Sequence, residues 1–442
     1  MSTATLILSG RYVVPIIPEQ TVLEDHSVVI AGKRILALLP RDEALQRYPH
    51  VPERQFPQHA IMPGLVNTHT HTPMNLFRGI ADDLTLMDWL TQHIWPAEQA
   101  LIDANTVALG SELAIAEMIR GGTTCFNDSY FYPRVTATAV DKTGMRAVCG
   151  AVIMSISTQW ADNERTYFDR AEETVTDQQF SDRVTFSLCP HSPYTVSDTS
   201  FTRLSAMSEQ FNLPVHIHLH ETEYEINHSL KQYGMRPIAR LDRLGLLSTR
   251  LIGVHATQLT PEEHQLLAKR GCHIVHCPQS NLKLASGFAP VTTLLNAGVN
   301  VALGTDSAAS NNDLDMFSEL SIAAMLAKAV SQDPSALPAH QALSMATING
   351  AKALKLDHKI GSLTAGKQAD CIAVDLGHFL TQPMYNPISH LAYAVNRLQV
   401  SDVYIDGKAL LTDGELTTID TDSLIASAQA FSLRARRFAT HR

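Results

Sequence analysis

The sequence predicts an α/β protein centred on a (β/α)8 TIM barrel, with a small composite β-sandwich module formed by the N- and C-terminal segments. From residue 63 to about residue 360, short apolar runs alternate with helix-length segments, which is typical of a parallel sheet. On both sides of that region, short β-branched runs are separated by glycine-containing turns. No Gly-rich phosphate-binding fingerprint follows the first barrel strand, which disfavours the alternative of a doubly wound open sheet.

We therefore divide the 442 residues into three segments. We expect residues 1–62 to form the N-terminal part of the sandwich, 63–360 the barrel, and 361–442 the C-terminal part with a terminal amphipathic helix over 421–438. The predicted strands of the two outer segments are Thr5–Pro15, Ser27–Ala31, Arg34–Leu39, Ala60–Met62, Asp370–Asp375, Asp402–Ile405 and Lys408–Leu411. An Asp406-Gly407 turn joins the last two.

Eight apolar runs between Pro63 and residue 360 are predicted to be barrel strands. They are Gly64–His69, Thr123–Asp128, Arg146–Ile153, Val184–Cys189, Pro214–Leu219, Leu251–His255, His273–Cys277 and Asn300–Gly304. Helix-length segments such as Asn105–Arg120, Thr199–Phe211 and Pro261–Arg270 separate them.

The composition limits the classes of function. Lys and Arg total 34 against 44 Asp and Glu, a formal net charge of -10, so we expect no nucleic-acid partner, which would require a basic stripe. We expect no membrane association, because no run reaches the 18 apolar residues of a spanning helix. The chain is unusually rich in histidine, with 20 residues and no low-complexity tract to account for them.

The six cysteines form no C-x-x-C pair, and most lie in apolar, strand-like runs, where cysteine behaves as a small buried hydrophobe. We expect neither a disulfide framework in so long a chain nor a signal peptide in the N-terminal segment, which lacks a basic start and a long apolar run. The sequence therefore predicts a cytoplasmic protein.

Barrel enzymes carry their catalytic groups at the carboxyl ends of their strands, and four predicted strands end in residues that can bind a metal. The first ends in His69-Thr70-His71, whose two imidazoles face the same way, the sixth in His255, and the eighth in Gly304-Thr305-Asp306. The fifth ends in His216-Ile217-His218-Leu219-His220, where all three histidines share one parity. Parity alone cannot decide which of the three is a ligand.

Three imidazoles and one carboxylate make a site for zinc, or alternatively iron. Such an ion activates a bound water for attack on an electron-poor carbon. Asp306 can accept the water proton, and Glu221 is a second acid able to protonate the substrate. Because Val184–Cys189 contains no lysine to bridge two metals, we expect a single ion per subunit.

Longer motifs resemble a known family. The segment Asn67–Glu98, NTHTHTPMNLFRGIADDLTLMDWLTQHIWPAE, is similar to the 5-methylthioadenosine/S-adenosylhomocysteine deaminase family of the amidohydrolase superfamily, which has triazine chlorohydrolases as relatives. CPHSPYT at 189–195, HLHET at 218–222, GVHATQLT at 253–260, HCPQSNLKLASG at 276–287 and LGTDSAAS at 303–310 support the resemblance, which covers nearly the whole chain.

The resemblance implies which residues hold the metal and which move protons. It selects His218 with His69, His71 and Asp306 as ligands, and Glu221, His255 and Asp306 as catalytic residues, with His255 at the attacking water. His216 and His220 are then left to supporting roles.

The same resemblance implies contacts to a purine nucleoside. Glu98 would accept hydrogen bonds from the ribose hydroxyls, and Trp89 would supply apolar surface near the ribose and the 5' substituent. His191 would reach a purine ring nitrogen, and Arg165 would bind the amino-acid carboxylate of S-adenosylhomocysteine.

The expected reaction is hydrolytic deamination of 5'-methylthioadenosine, S-adenosylhomocysteine or adenosine to the inosine analogue and ammonia, by a zinc-dependent homo-oligomer (a dimer or tetramer). The alternatives are a triazine hydrolase, a deaminase of another purine such as guanine, or a non-catalytic barrel scaffold. The H-x-E and P-C-x-x-C motifs of the nucleic-acid zinc deaminases are absent from the sequence.

Overall fold

A computed structural model describes residues 3–440, which form two eight-stranded sheets. The strands are β1 (Leu6–Val13), β2 (Leu23–Ala31), β3 (Arg34–Pro40), β4 (Glu53–Pro63), β5 (Leu65–Thr70), β6 (Thr123–Tyr130), β7 (Arg146–Ile153), β8 (Val184–Pro190), β9 (Val215–Leu219), β10 (Leu251–His255), β11 (His273–His276), β12 (Asn300–Leu303), β13 (Cys371–Asp375), β14 (Val400–Ile405), β15 (Lys408–Thr412) and β16 (Glu415–Leu416).

Strands β5 to β12 form the predicted barrel. Each pairs in parallel with the next along the chain, and the eight coincide with the eight predicted runs to within two residues at either end. The ends of the sheet are also linked, since Thr68 Oγ1 on β5 donates to the Leu303 carbonyl on β12 at 2.5 Å. The Asp306 N–H donates to the His69 carbonyl at 3.0 Å, so the barrel closes directly beside the predicted metal ligands. The (β/α)8 prediction is confirmed.

The second sheet joins both chain ends, in the order β16-β15-β14-β13-β4-β1-β2-β3. Its halves meet where β13 pairs antiparallel with β4, with Ile372 opposite Met62. Buried side chains from both halves share one core, so the predicted composite module is confirmed, as one continuous hydrogen-bonded sheet. Strand β4 begins seven residues earlier than the predicted Ala60–Met62, because Glu53–His59 carries polar, half-exposed side chains that conceal a strand.

The helices cover the outside of the barrel and build its upper loops. The α-helices are α1 (Arg41–Arg47), α2 (Leu86–Asp88), α3 (Trp95–Leu101), α4 (Ala104–Arg120), α5 (Pro133–Thr143), α6 (Glu164–Val175), α7 (Asp198–Phe211), α8 (Glu223–Tyr233), α9 (Pro237–Arg243), α10 (Pro261–Arg270), α11 (Pro278–Lys283), α12 (Val291–Asn296), α13 (Met316–Ser331), α14 (Ala339–Met345), α15 (Ile348–Ala353), α16 (Pro387–Tyr393) and α17 (Thr421–Thr440). Within residues 3–440, no helix has both the length and the apolar character required to cross a bilayer.

The long connection from β5 to α4 matters most for function. It carries a 3-10 helix (Thr72–Phe77), α2, a π-helix (Trp89–Ile94) and α3. Trp89 and Glu98 lie on the last two of these, so the connection places both side chains above the carboxyl ends of the barrel strands.

Candidate metal centre and active site

The predicted metal ligands meet at the carboxyl end of the barrel. His69 Nε2 lies 3.3 Å and His71 Nε2 3.4 Å from Asp306 Oδ1. His218 Nε2 lies 3.3 Å from His71 Nε2. Two overlapping groups have ligand atoms within 4.8 Å of one another, namely His69, His71 and Asp306, and His69, His218 and His255.

The hydrogen bonds of these rings show that the group suits a cation. His71 Nδ1 donates to the Ser129 carbonyl at 2.5 Å, and His218 Nδ1 to the His191 carbonyl at 2.6 Å. A carbonyl only accepts, so the Nε2 atoms of His71 and His218 carry lone pairs that face one another. Two facing lone pairs at this distance repel unless a positive ion lies between them, which is the arrangement that a metal requires.

His69 and Asp306 complete the donor set. His69 Nε2 is buried and faces Asp306 Oδ1 at 3.3 Å, while its Nδ1 lies 3.2 Å from His216 Nε2. Asp306 Oδ2 accepts from Ser280 Oγ at 2.6 Å and Ser310 Oγ at 2.9 Å, while Oδ1 accepts the Ser307 N–H at 2.7 Å and also faces the histidines. Three imidazoles and one carboxylate are ligands that zinc prefers.

Glu221 is buried beside this group and faces the cavity. Burial, and secondarily the negative charge of Asp306, raises the pKa of Glu221 to about 8. The carboxyl group is therefore largely protonated at neutral pH, as a general acid must be. Its Oε2 lies 3.8 Å from His255 Nε2.

His255 is oriented by Asn281. Its Nδ1 donates to Asn281 Oδ1 at 2.8 Å, so the Nε2 lone pair faces the metal group, and burial lowers the pKa of the ring. The backbone of His255 and of Asp306 lies in the left-handed region, with φ of 74° and 62°. Such strain at non-glycine residues is typical of functional sites, where surrounding contacts hold it in place.

The three histidines of the fifth strand have different surroundings. His216 supports His69 from below, and His218 joins the metal group. His220 lies beyond the end of β9 with φ of 55°, so the strand parity that places all three in the lumen does not extend to it. Its Nε2 accepts from the Ile238 N–H at 3.1 Å, which ties the loop after β9 to α9.

A cavity of about 560 Å³ opens above the metal group. The residues that line its metal-facing end include His71, His218, Glu221, His255 and Asp306. The connection from β5 to α4 supplies much of its apolar wall, through Met74, Leu86, Trp89, Leu90, Ile94 and Trp95. One bound molecule could therefore contact the metal group at one end of the cavity and the apolar wall along its side.

Trp89, Glu98 and His191, to which the family resemblance assigns substrate contacts, line this cavity. The indole Nε1 of Trp89 is buried with no hydrogen-bond partner among the described residues, so it can donate to a ligand. Burial raises the pKa of Glu98 to about 7, although a hydrogen bond from Tyr130 acts in the opposite direction. Burial lowers the pKa of His191 to about 3, which keeps its ring neutral.

Arg165 lies elsewhere. It is in the first turn of α6 with a side chain that is 89% exposed, and its Nε lies 3.7 Å from Asp169 Oδ2. It is not among the residues that line the cavity. The placement gives no support to the predicted contact with a substrate carboxylate, because the side chain extends into solvent from the outer helix layer.

Several residues of the site were not predicted. Tyr130 donates to Glu98, Asn281 orients His255, and Ser280 and Ser310 hold Asp306. Tyr130 could have been found as the last residue of a barrel strand, although tyrosine is not a metal ligand of the type sought there. The two serines and the asparagine follow strands β11 and β12 but carry no spacing signal of their own.

A closed parallel barrel with this donor set and a buried acid at the carboxyl ends of its strands defines a metal-dependent hydrolase. Residues 60–410 match the model of the amidohydrolase family. A 5-methylthioadenosine/S-adenosylhomocysteine deaminase of Teredinibacter turnerae is 43% identical over 427 residues, covering 97% of each chain. The chain belongs to the amidohydrolase family and, within it, to the 5-methylthioadenosine/S-adenosylhomocysteine deaminase family.

Solved structures agree with this assignment. An adenosine deaminase from Xanthomonas campestris with bound zinc is 50% identical, covers 99% of each chain and superposes with a TM-score of 0.97. An atrazine chlorohydrolase from Arthrobacter aurescens complexed with zinc covers 97% of this chain and 100% of its own, with a TM-score of 0.91. At 21% identity, the second comparison shows the shared fold alone.

Proposed function

We propose that the protein is a zinc-dependent hydrolytic deaminase of adenosine nucleosides, including 5'-methylthioadenosine, S-adenosylhomocysteine and adenosine. The products are the inosine analogue and ammonia. One observation carries the proposal: His71, His218, Asp306 and the buried acid Glu221 line one end of a single cavity, and Glu98 lines the same cavity.

His69, His71, His218 and Asp306 would hold the zinc. When bound there, zinc lowers the pKa of a water molecule so that hydroxide is available at neutral pH. Their Nε2 atoms and Asp306 Oδ1 converge, and each of His71 and His218 is fixed by a carbonyl behind it. Iron is the alternative ion for the same donors.

Three residues move or stabilise charge in the proposed reaction. Asp306 accepts a proton from the attacking water as the oxygen bonds to purine C6, and Glu221 protonates N1, which receives the electron pair of the C6–N1 double bond. His255 orients the water and stabilises its developing charge. The tetrahedral intermediate then loses ammonia, which takes its third hydrogen from Asp306, while the new C6 hydroxyl returns a proton to Glu221 and becomes the carbonyl of the product.

The remaining contacts select a nucleoside. Glu98 accepts hydrogen bonds from the ribose hydroxyls, Trp89 packs near the ribose and the 5' substituent, and His191 reaches a purine ring nitrogen. All three line the cavity, which supports these assignments. A carboxylate with several acceptor positions suits a pair of vicinal hydroxyls.

The test is ammonia release over a panel of 5'-methylthioadenosine, S-adenosylhomocysteine, adenosine, guanine and triazines. We expect turnover of the adenosines, and we expect Glu98→Gln to raise KM for them selectively. An enzyme that prefers guanine or a triazine, or a Glu98→Gln variant that loses activity equally on free bases and nucleosides, would contradict the proposal.

We also propose that the protein acts in the cytoplasm as a homo-oligomer. The six free cysteines are all buried, which is compatible with a reducing compartment. Phe379 and Tyr385 are large apolar side chains that are 77% and 87% exposed, as expected at a subunit contact. Sedimentation equilibrium tests the assembly, and a monomer at all concentrations would contradict it.

A further inference from the structure

We infer that Tyr130 is a positioning residue that fixes the Glu98 carboxylate in the cavity and thereby determines selection for a ribose with both hydroxyls. The inference rests on the proposed function, because it takes Glu98 to be the acceptor of those hydroxyls. It concerns a residue that neither holds metal nor moves a proton.

The two side chains come from different parts of the fold. Tyr130 is the last residue of β6, within the rigid barrel, and is only 4% exposed. Glu98 lies on α3, a short helix of the long connection after β5. Tyr130 Oη donates to Glu98 Oε1 at 2.6 Å, so the hydrogen bond joins a loop-borne carboxylate to a barrel strand.

Among the side chains of residues 3–436, no other one makes a hydrogen bond to the Glu98 carboxylate. A glutamate side chain has three rotatable torsions, and an untethered carboxylate above a cavity occupies several rotamers. The hydrogen bond from Tyr130 holds Oε1 at one position and restricts the rotation of the carboxylate. The uncommitted lone pairs of Oε1 and Oε2 are then held in one arrangement.

The same tyrosine ring also lies beside the metal group. Its centroid is 6.3 Å from that of His71, with the two rings at 65°. Tyr130 therefore lies between the metal ligand His71 and the proposed ribose acceptor Glu98, and contacts both. Since the reacting C6 and the ribose hydroxyls lie at opposite ends of a purine nucleoside, the separation of these two residues must match the length of the substrate.

The consequence is a specificity effect that depends on the hydroxyl group of Tyr130. A ribose presents two neighbouring donors that need two correctly aimed acceptor positions, whereas a 2',3'-dideoxyribose presents none. Loss of the phenol hydroxyl therefore weakens the binding of a substrate with both ribose hydroxyls and leaves the binding of a dideoxy substrate unchanged. The Phe131 ring, at a centroid distance of 5.1 Å, and the other packing contacts of the ring are retained in Tyr130→Phe.

The experiment compares adenosine with 2',3'-dideoxyadenosine in zinc-loaded enzyme. For Tyr130→Phe, we expect KM for adenosine to rise about tenfold, as for a lost hydrogen bond to a charged group, with kcat within about twofold. KM and kcat for the dideoxy analogue should stay unchanged. The matched control is Tyr132→Phe, whose hydroxyl donates to the exposed Gln159 carbonyl at 3.3 Å and should have no effect on either substrate.

A double variant keeps the test decisive. In a Glu98→Gln background, Tyr130→Phe should change KM for adenosine by less than about twofold, because the partner has already been altered. An undiminished tenfold effect there, an unchanged KM in the single variant, or an equal loss of kcat on both substrates would overturn the inference. Failure of the proposed function gives a different result, namely a wild-type enzyme that does not deaminate adenosine or does not distinguish it from the dideoxy analogue.

Discussion

Glu98 and Glu221 are buried carboxyl groups in one cavity, and their surroundings suit them to different tasks. Burial, together with the negative charge of the neighbouring Asp306, raises the pKa of Glu221 to about 8. Glu98 receives the Tyr130 hydroxyl, and its pKa rises to only about 7. The surroundings suit Glu221 to donate a proton to a substrate, and the Tyr130 hydroxyl orients Glu98 to accept hydrogen bonds from one.

The pKa of Glu98 predicts that nucleoside binding depends on pH. As pH falls through about 7, Glu98 gains a proton and loses acceptor capacity, so KM for adenosine rises; above that pH the carboxylate persists and KM levels off. KM measured on both sides of neutrality checks this. The same pH dependence in Glu98→Gln would assign it to another group.

Replacing Glu221 tests the assignment of the acid. In Glu221→Gln, we expect kcat to fall by about 10²–10⁴-fold, because the side chain can no longer donate a proton to the substrate. Zinc content and affinity for the inosine product should change little, since Glu221 is not among the proposed ligands. The comparison needs steady-state kinetics with metal analysis; near-normal kcat in a zinc-loaded variant would remove Glu221 from the mechanism.

Part of the site was predictable at the level of single residues. His69, His71, His255 and Asp306 follow from what stands at strand ends, because parallel strands aim their carboxyl ends at one region. Parity could not choose among the histidines of β9, and the family resemblance selected His218. Hydrogen bonds such as Tyr130 to Glu98 join residues far apart in sequence and depend on tertiary structure alone.

At the scale of elements, helix α8 holds the loop that carries the acid. Glu225 on α8 accepts the backbone N–H of His220 at 2.8 Å through Oε1 and that of Glu221 at 3.0 Å through Oε2. Both oxygens of one buried carboxyl group therefore accept hydrogen bonds from the turn after β9. The turn also includes the positive φ of His220, which needs such support.

Glu225→Gln should loosen this turn. An amide offers one acceptor oxygen, and its NH2 group would face a backbone N–H, so we expect a loss of about 1–3 kcal/mol in the free energy of unfolding. We also expect kcat to fall as Glu221 loses its position. Denaturant unfolding and kinetics measure both, with the exposed Glu223→Gln in the same helical turn as control. If the two variants had the same free energy of unfolding and the same kcat, the hydrogen bonds of Glu225 would not stabilise the turn.

Elements with a clear apolar pattern were predicted well, and elements without one were not. All eight barrel strands are buried runs, and their predicted and observed bounds nearly coincide. The early part of β4 was missed because its outer residues are polar. The π-helix Trp89–Ile94 was also unpredictable, since a single wide turn depends on how the connection packs above the barrel.

At the scale of the whole molecule, a buried ionic group joins the barrel to the outer sheet. Arg146 begins β7, and its Nε donates to Asp370 Oδ2 at 2.7 Å while Nη2 donates to Asp406 Oδ1 at 2.6 Å. All three side chains are at most 2% exposed. Barrel and module therefore share a charged contact that water cannot replace.

Breaking this contact should be costly. In Arg146→Met, two aspartates lose their buried partner, and we expect a loss of about 3–5 kcal/mol in the free energy of unfolding. The exposed Arg165→Met is the matched control and should change stability by less than about 0.5 kcal/mol. Thermal or denaturant unfolding compares them; similar stability of the two variants would mean that the ionic group does not join the two parts.

The sequence predicted that both chain ends form one module, but not the ionic group that joins this module to the barrel. Short strands at both ends indicated one shared module, and the pairing of β4 with β13 fulfils that expectation. The ionic group was not predictable, because Arg146 is more than 200 positions away from both aspartates. An arginine at the start of a strand usually faces solvent, and only the outer sheet explains its burial.

We propose that a zinc ion held by His69, His71, His218 and Asp306 makes this barrel a deaminase. The most direct measurement is ammonia release from 5'-methylthioadenosine and adenosine by the same preparation before chelation, after removal of the metal, and after addition of zinc. We predict activity with about one zinc per chain, loss of activity on metal removal, and recovery with zinc. Undiminished ammonia release from metal-free protein, or none from zinc-loaded protein, would contradict the account.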